Sequence, residues 1–179
     1  MPRFRSILIA ALTGVLGIAF VAAAQTRGHG SHGADASAVA PHRRVHAALQ
    51  EMESVIATGR GAGLAFAADR NDYPGPAHVL ELKGRLGLTA PQERHVEMLQ
   101  TAMFTASRPA SSRFLEAEAR LRRLFADGLA DESRVRAAVT EVEHARTELR
   151  LVHLLAHLQT RGVLTEDQRR IYHEARWAD

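Results

Sequence analysis

The sequence has no cysteine, one lysine, one tryptophan and few other aromatic residues. Without cysteine there is no disulfide framework, no thiolate nucleophile and no thiolate metal ligand. A metal site in this chain must therefore use histidine, carboxylate, methionine or amide oxygen, and the 10 histidines make imidazole the expected donor. Lys83 is the single lysine among 23 basic residues, the others being arginine. Strand-like alternation of apolar and polar residues is missing, which leaves helical periodicity as the organising pattern. A Gly-rich phosphate loop, a nucleophile motif and a pair of carboxylates at a cleft are missing as well, so no enzymatic activity is expected.

What is present begins with a basic and then apolar leader. Arg3 and Arg5 precede an apolar run over residues 7–21, which ends in Ala22, Ala23 and Ala24. This is the pattern of a secretory signal peptide over residues 1–24, with an uncleaved N-terminal anchor as the alternative. The run is short for a membrane span of about 20 residues, and no second one follows, so no stable span is expected after cleavage. Loss of Arg3 and Arg5 takes the formal charge from +3 to +1. A nearly neutral chain is no argument for nucleic-acid binding.

Residues 25–41 are rich in Gly, Ser, Ala and His and read as a flexible tether, with His29 and His32 in a tract able to collect metal loosely. Residues 42–72 read as an N-terminal helix and a Gly-rich linker. Pro41 is the expected helix start, Val45, Leu49, Met52 and Ile56 recur at helical spacing, and Gly59, Gly61 and Gly63 end the segment. His42 and His46 form an i,i+4 pair beside that apolar stripe.

Residues 73–179 carry the main domain. A short helix is expected from Pro76 to Leu86, with Val79, Leu82 and Leu86 inward and Gly87 as its stop. Thr89 and Gln92 then form a capping box, in which the threonine hydroxyl and the glutamine side chain each satisfy a backbone N–H. The same Leu-Thr-x-x-Gln box recurs at Leu164, Thr165 and Gln168. Between the boxes lie two long helices. The first shows Val96, Leu99, Met103, Ala106, Ala110, Ala117, Leu121 and Leu124 at close to a 3.5-residue repeat, with a kink expected at Pro109. Asp131 is the expected N-cap of the second, whose seam runs through Val135, Ala138, Val142, Ala145, Leu149, Val152 and Ala156. The short connection at residues 127–131 makes them antiparallel. A last helix over Glu166–Trp177 is expected to pack through Ile171 and Trp177. The predicted fold is all-α, a long antiparallel helical hairpin with shorter flanking helices.

The hairpin's second helix ends in an apolar stretch that carries His153 and His157. Residues four apart share one helix face, so two imidazoles at this spacing can reach one ion. No glutamate lies between them to serve as general base, so the zinc-protease motif is excluded. Two readings stay open: a metal site without catalysis, or two histidines packed at a helix end. Leu149–Leu158 is apolar nearly all round, which predicts burial on several sides and is well explained by a second subunit.

The paired Leu-Thr-x-x-Gln boxes on a cysteine-free helical hairpin behind an export signal resemble the Spy/CpxP family of LTXXQ-motif periplasmic proteins. Tyr73–Leu82 ahead of the first box, and Leu151–His157 near the end, look most like its heavy-metal resistance branch, which includes zinc-resistance-associated proteins and periplasmic metal sensors. The resemblance covers residues 73 to about 176. It implies a periplasmic homodimer of bent hairpins that binds zinc, nickel or cobalt through His78, His153 and His157. Gln100 falls where the sensor pattern has a carboxylate, and Leu82 where it has another ligand. His42 and His46 are further candidates from their spacing alone. An inner-membrane signalling partner would be implied for a sensor. The chaperone branch implies ATP-independent holding of unfolded clients, for which Arg113, Arg120, Arg122 and Arg123 with Phe114 and Phe125 are the candidate surface. Imidazole ligates metal in its neutral form, so affinity should fall below about pH 6.

Overall fold

The computed structural model describes residues 36–178, and the expected signal peptide, His29 and His32 lie outside them. Those residues form seven helices and no strand. The elements are α1 (Ala36–Ala57), α2 (Phe66–Asp69), α3 (Pro76–Glu81), α4 (Lys83–Leu86), α5 (Ala90–Ala126), α6 (Glu132–Val163) and α7 (Glu166–Trp177). Helices α5 and α6 pair lengthwise as an antiparallel hairpin, α1, α2 and α3 pack against it, and α4 packs against α7. No helix among the described residues is long and apolar enough to cross a membrane.

On α5 the buried positions Val96, Met103, Ala110 and Ala117 are seven residues apart. That interval keeps a seam turned toward one partner helix along its whole length. Ala106, expected inward, is exposed, and its neighbour Ser107 is buried instead. The Ser107 hydroxyl donates to the Gly59 carbonyl at 2.7 Å, which ties the linker after α1 to the middle of α5. Helix α5 runs unbroken through Pro109. Asp131 caps α6 as expected, its carboxylate accepting from the Arg134 N–H at 2.8 Å.

Several local expectations are corrected. The first helix starts at Ala36 rather than at Pro41, which lies inside it. Pro41 therefore leaves α1 one backbone N–H donor short, and the helix continues past it to Ala57. Of its apolar stripe only Ile56 is buried, while Val45, Leu49 and Met52 are exposed. The predicted helix over 76–86 is two short helices, broken at Leu82. Gly87 ends the second at φ 59°, in the left-handed region where glycine lacks the Cβ penalty. The Leu149–Leu158 stretch is not buried all round within one chain, since Leu151, Leu155 and Leu158 face solvent. Phe114 belongs to the core rather than to a surface. Arg113, Arg120 and Arg122 pair with Glu148, Glu141 and Glu53 on the helix surface.

Both capping boxes form, and the structure joins them. The Gln92 amide donates to the Gln168 side-chain oxygen at 2.9 Å, and the Gln168 amide donates back at 3.2 Å. The remaining N–H of Gln92 reaches the Val163 carbonyl at the end of α6, at 3.0 Å. That of Gln168 reaches the Leu86 carbonyl at the end of α4, at 3.3 Å. Each glutamine oxygen also accepts from the backbone N–H of its own threonine. Two helix starts and two helix ends are thus satisfied by one amide pair, which no single box could achieve.

Two cores result. One joins Ile56, Ala110, Phe114, Ala117, Val142, Ala145 and Leu149. The other joins Val79, Leu86, Val96, Leu164 and Tyr172 beside the glutamine pair. On α6, His153 and His157 fall between Leu149 of the first core and Leu164 of the second.

Candidate functional site

Between the two cores lies a cavity of about 470 Å³. His153 and His157 share the buried face of α6 with Leu149, Ala156 and Thr160, and are 4% and 7% exposed. His78 from α3 and Gln100 from α5 line the same cavity. Three helices therefore bring together the four residues singled out around the two boxes. His42 and His46 are exposed on α1 and do not line it.

The walls explain why the two buried rings stay where they are. The segment Tyr73-Pro74-Gly75-Pro76 packs across His157, with both prolines buried. Arg161, one turn further along α6, stacks its guanidinium 4.6 Å from the Tyr73 ring centre. The Tyr73 carbonyl then accepts from His157 Nδ1 at 2.6 Å. A carbonyl only accepts, so this bond assigns the proton to Nδ1 and leaves Nε2 with the lone pair in the neutral ring. A Cβ at Gly75 would sit 2.7 Å from that Nε2, so no larger residue fits there without a shift. Gly61 lies over His153 less tightly, where an added Cβ would be 3.1 Å from Cγ and Nδ1. The linker glycines thus form a roof, in addition to the helix-ending role read from the sequence.

Burial favours the uncharged form of both imidazoles. Burial pushes His153 below its ordinary value of 6.5, and the neighbouring His157 adds to the shift. Burial likewise lowers His157, outweighing the Tyr73 carbonyl and Asp69, which favour its charged form. The Nε2 of His153 is buried and has no hydrogen-bond partner. His78 is more exposed, with Nδ1 3.2 Å from Glu81. Among the described residues, no three His, Asp or Glu side chains are gathered closely enough to hold a metal ion as they stand. The expected ligands share a wall without forming a closed coordination sphere.

One cluster at this cavity was missed in the sequence. Asp69, placed in a turn by its neighbours, is buried and accepts from the Tyr172 hydroxyl, from Arg176 at 3.1 Å and, through its carbonyl, from the Trp177 indole at 3.1 Å. Burial and the Asp69 carboxylate both raise Tyr172 far above its ordinary range, so it stays a donor. This latch holds α7 against α2 and places Trp177 at the cavity edge, where Phe66 meets it edge-on at 5.7 Å. Ile171 and Trp177, the expected packing residues of α7, are half-buried, and Tyr172 is its core residue. The i,i+4 spacing of Tyr172 and Arg176 was the available signal, but nothing local points to a partner a hundred residues away.

The fold and site define an all-α helical hairpin with a histidine-bearing cavity between two cores. No protein-family model, curated protein or solved structure matches the chain.

Proposed function

We propose that this chain is a heavy-metal-binding or metal-sensing protein of the cell envelope that takes a divalent zinc, nickel or cobalt ion through His153 and His157, with His78 and Gln100 as further donors. The observation that carries the reading is the convergence of these four residues from three helices on one cavity. The donors fit such an ion in kind. Both buried rings are held neutral, and His157 has its Nδ1 proton fixed by a carbonyl, the outer partner that metal-bound histidines commonly have. His153 contributes a buried nitrogen with no other partner. A bound ion would supply a Lewis-acidic centre that crosslinks α3, α5 and α6. Periplasmic location, cleavage at Ala24 and pairing into a homodimer belong to the same proposal.

Isothermal titration of the purified chain with Zn²⁺, Ni²⁺ and Co²⁺ tests it. Saturable binding near one ion per chain, abolished by the His153→Ala/His157→Ala pair, is expected. Weak binding unchanged by that pair would move the metal to the His29 and His32 tract and refute the site.

A second reading has its own observation. Leu151, Leu155 and Leu158 form an exposed apolar stripe on α6, and Phe125 and Leu129 are exposed at the far tip. Such faces suit a protein partner, either a second copy or an unfolded client of an ATP-independent chaperone. Suppression of client aggregation that survives the histidine changes would support the chaperone role.

A further inference from the structure

The metal reading uses the nitrogen donors and leaves most of the cavity unexplained. Its volume, about 470 Å³, falls in the range of roughly 300–1,000 Å³ typical of small-molecule pockets. The rest of the wall combines apolar and aromatic residues, Val55, Phe66, Met103, Phe104 and Trp177, with the charged Arg60, Asp69, Glu81 and Arg176. Pockets of this size orient a largely apolar ligand by a small number of placed hydrogen bonds. Asp69 and Arg176 are committed to each other at 3.1 Å, and His78 faces Glu81 at 3.2 Å. Arg60 is on the solvent-exposed side. The buried Asp69 and the half-buried Arg176 of the wall are thus paired with each other, although the Arg176 Nε has no hydrogen-bond partner of its own. His153 also lines the cavity, on a side chain 96% buried whose enclosed Nε2 has no hydrogen-bond partner among the described residues. A buried polar atom left unpaired carries a penalty that a ligand group can remove. A hydroxyl can both donate and accept, so it satisfies this nitrogen in either neutral tautomer.

From the cavity and the unpartnered nitrogen we infer a second ligand class: a small, uncharged aromatic molecule carrying a hydroxyl group. Its rings lie among Phe66, Phe104, Met103 and Trp177, and its hydroxyl meets His153. This goes beyond the metal reading and needs no metal.

The test titrates the full chain with 2-naphthol in the presence of EDTA, read by calorimetry and by quenching of Trp177, the single tryptophan. Saturable one-to-one binding is expected, with 2-methylnaphthalene, which lacks the hydroxyl, binding roughly 10-fold more weakly. His153→Leu should remove that difference while retaining binding of the hydrocarbon. Met103→Trp, which fills the cavity from α5, should abolish both with helical circular dichroism unchanged. No binding of 2-naphthol to the folded chain, equal affinity for the two naphthalenes, or tighter binding of 2-naphthoate would overturn the inference; so would binding that requires added Zn²⁺. Loss of metal binding in the separate histidine titration leaves these outcomes untouched, so the two readings fail independently.

Discussion

Two polar pairs lie in the folded chain, the Gln92–Gln168 pair between α5 and α7 and the His153–His157 pair on α6, and they are treated in opposite ways. In the Gln92–Gln168 pair every amide hydrogen and both side-chain oxygens have partners. In the His153–His157 pair, one ring nitrogen is held by a carbonyl and another has no partner at all. A satisfied buried network specifies architecture, whereas a half-satisfied one is a liability unless something else completes it. The glutamines close the fold. The histidines leave room in it.

The largest effect in this comparison should come from breaking the closed pair. Gln168→Ala removes a helix cap, the partner of Gln92 and the donor to Leu86, and should destabilise the chain by about 3 kcal/mol. Urea unfolding followed by circular dichroism measures it; a loss below about 1 kcal/mol would mean the pair is not what closes this end. Next comes the latch. Tyr172→Phe leaves the buried Asp69 carboxylate short of one donor and should lower stability by about 2 kcal/mol, with Trp177 emission shifting to longer wavelength as α7 loosens. The open pair should respond with the reverse sign. His153→Leu replaces an unpartnered nitrogen by a methyl group and should leave stability unchanged or raise it by about 1 kcal/mol, while metal affinity falls. A marked loss of stability would show that His153 is structural packing.

The smallest effect is the pH dependence. Both imidazoles have folded values below 6.5, so the unfolded chain binds protons more readily than the folded one as pH falls through that value. Stability from these groups is therefore full above about pH 6.5 and is lost progressively on acidification below it. The double variant His153→Leu/His157→Leu should flatten the decline between pH 7 and 5, measured as the urea midpoint at each pH. An unchanged slope would assign acid sensitivity elsewhere.

The comparison also shows what a sequence can reveal. Each capping box was legible because its four residues are neighbours in the chain, and so was the seam through Val96, Met103, Ala110 and Ala117, because helical periodicity is local. The joining of the boxes was not, because it depends on how the end of α6 and the start of α5 come side by side. Asp69 was unreadable for the same reason, its partners lying on α7. His153 and His157 were picked out by their i,i+4 spacing and His78 and Gln100 by family pattern, and all four line one cavity. The roof made by Gly61 and Gly75 had no signature, since a glycine that permits close approach looks like one that ends a helix. Val45, Leu49 and Met52 show the converse. Their spacing predicted an inward face, but among the described residues nothing covers it.

The most direct measurement of the central claim is a heteronuclear imidazole spectrum of the ¹⁵N-labelled chain at pH 7.5, recorded before and after one equivalent of Zn²⁺. The account predicts neutral rings for His153 and His157, with His157 protonated at Nδ1, and a large shift of both residues' Nε2 signals on adding the ion. If those signals stay unchanged while only solvent-exposed histidines respond, the cavity is not a metal site.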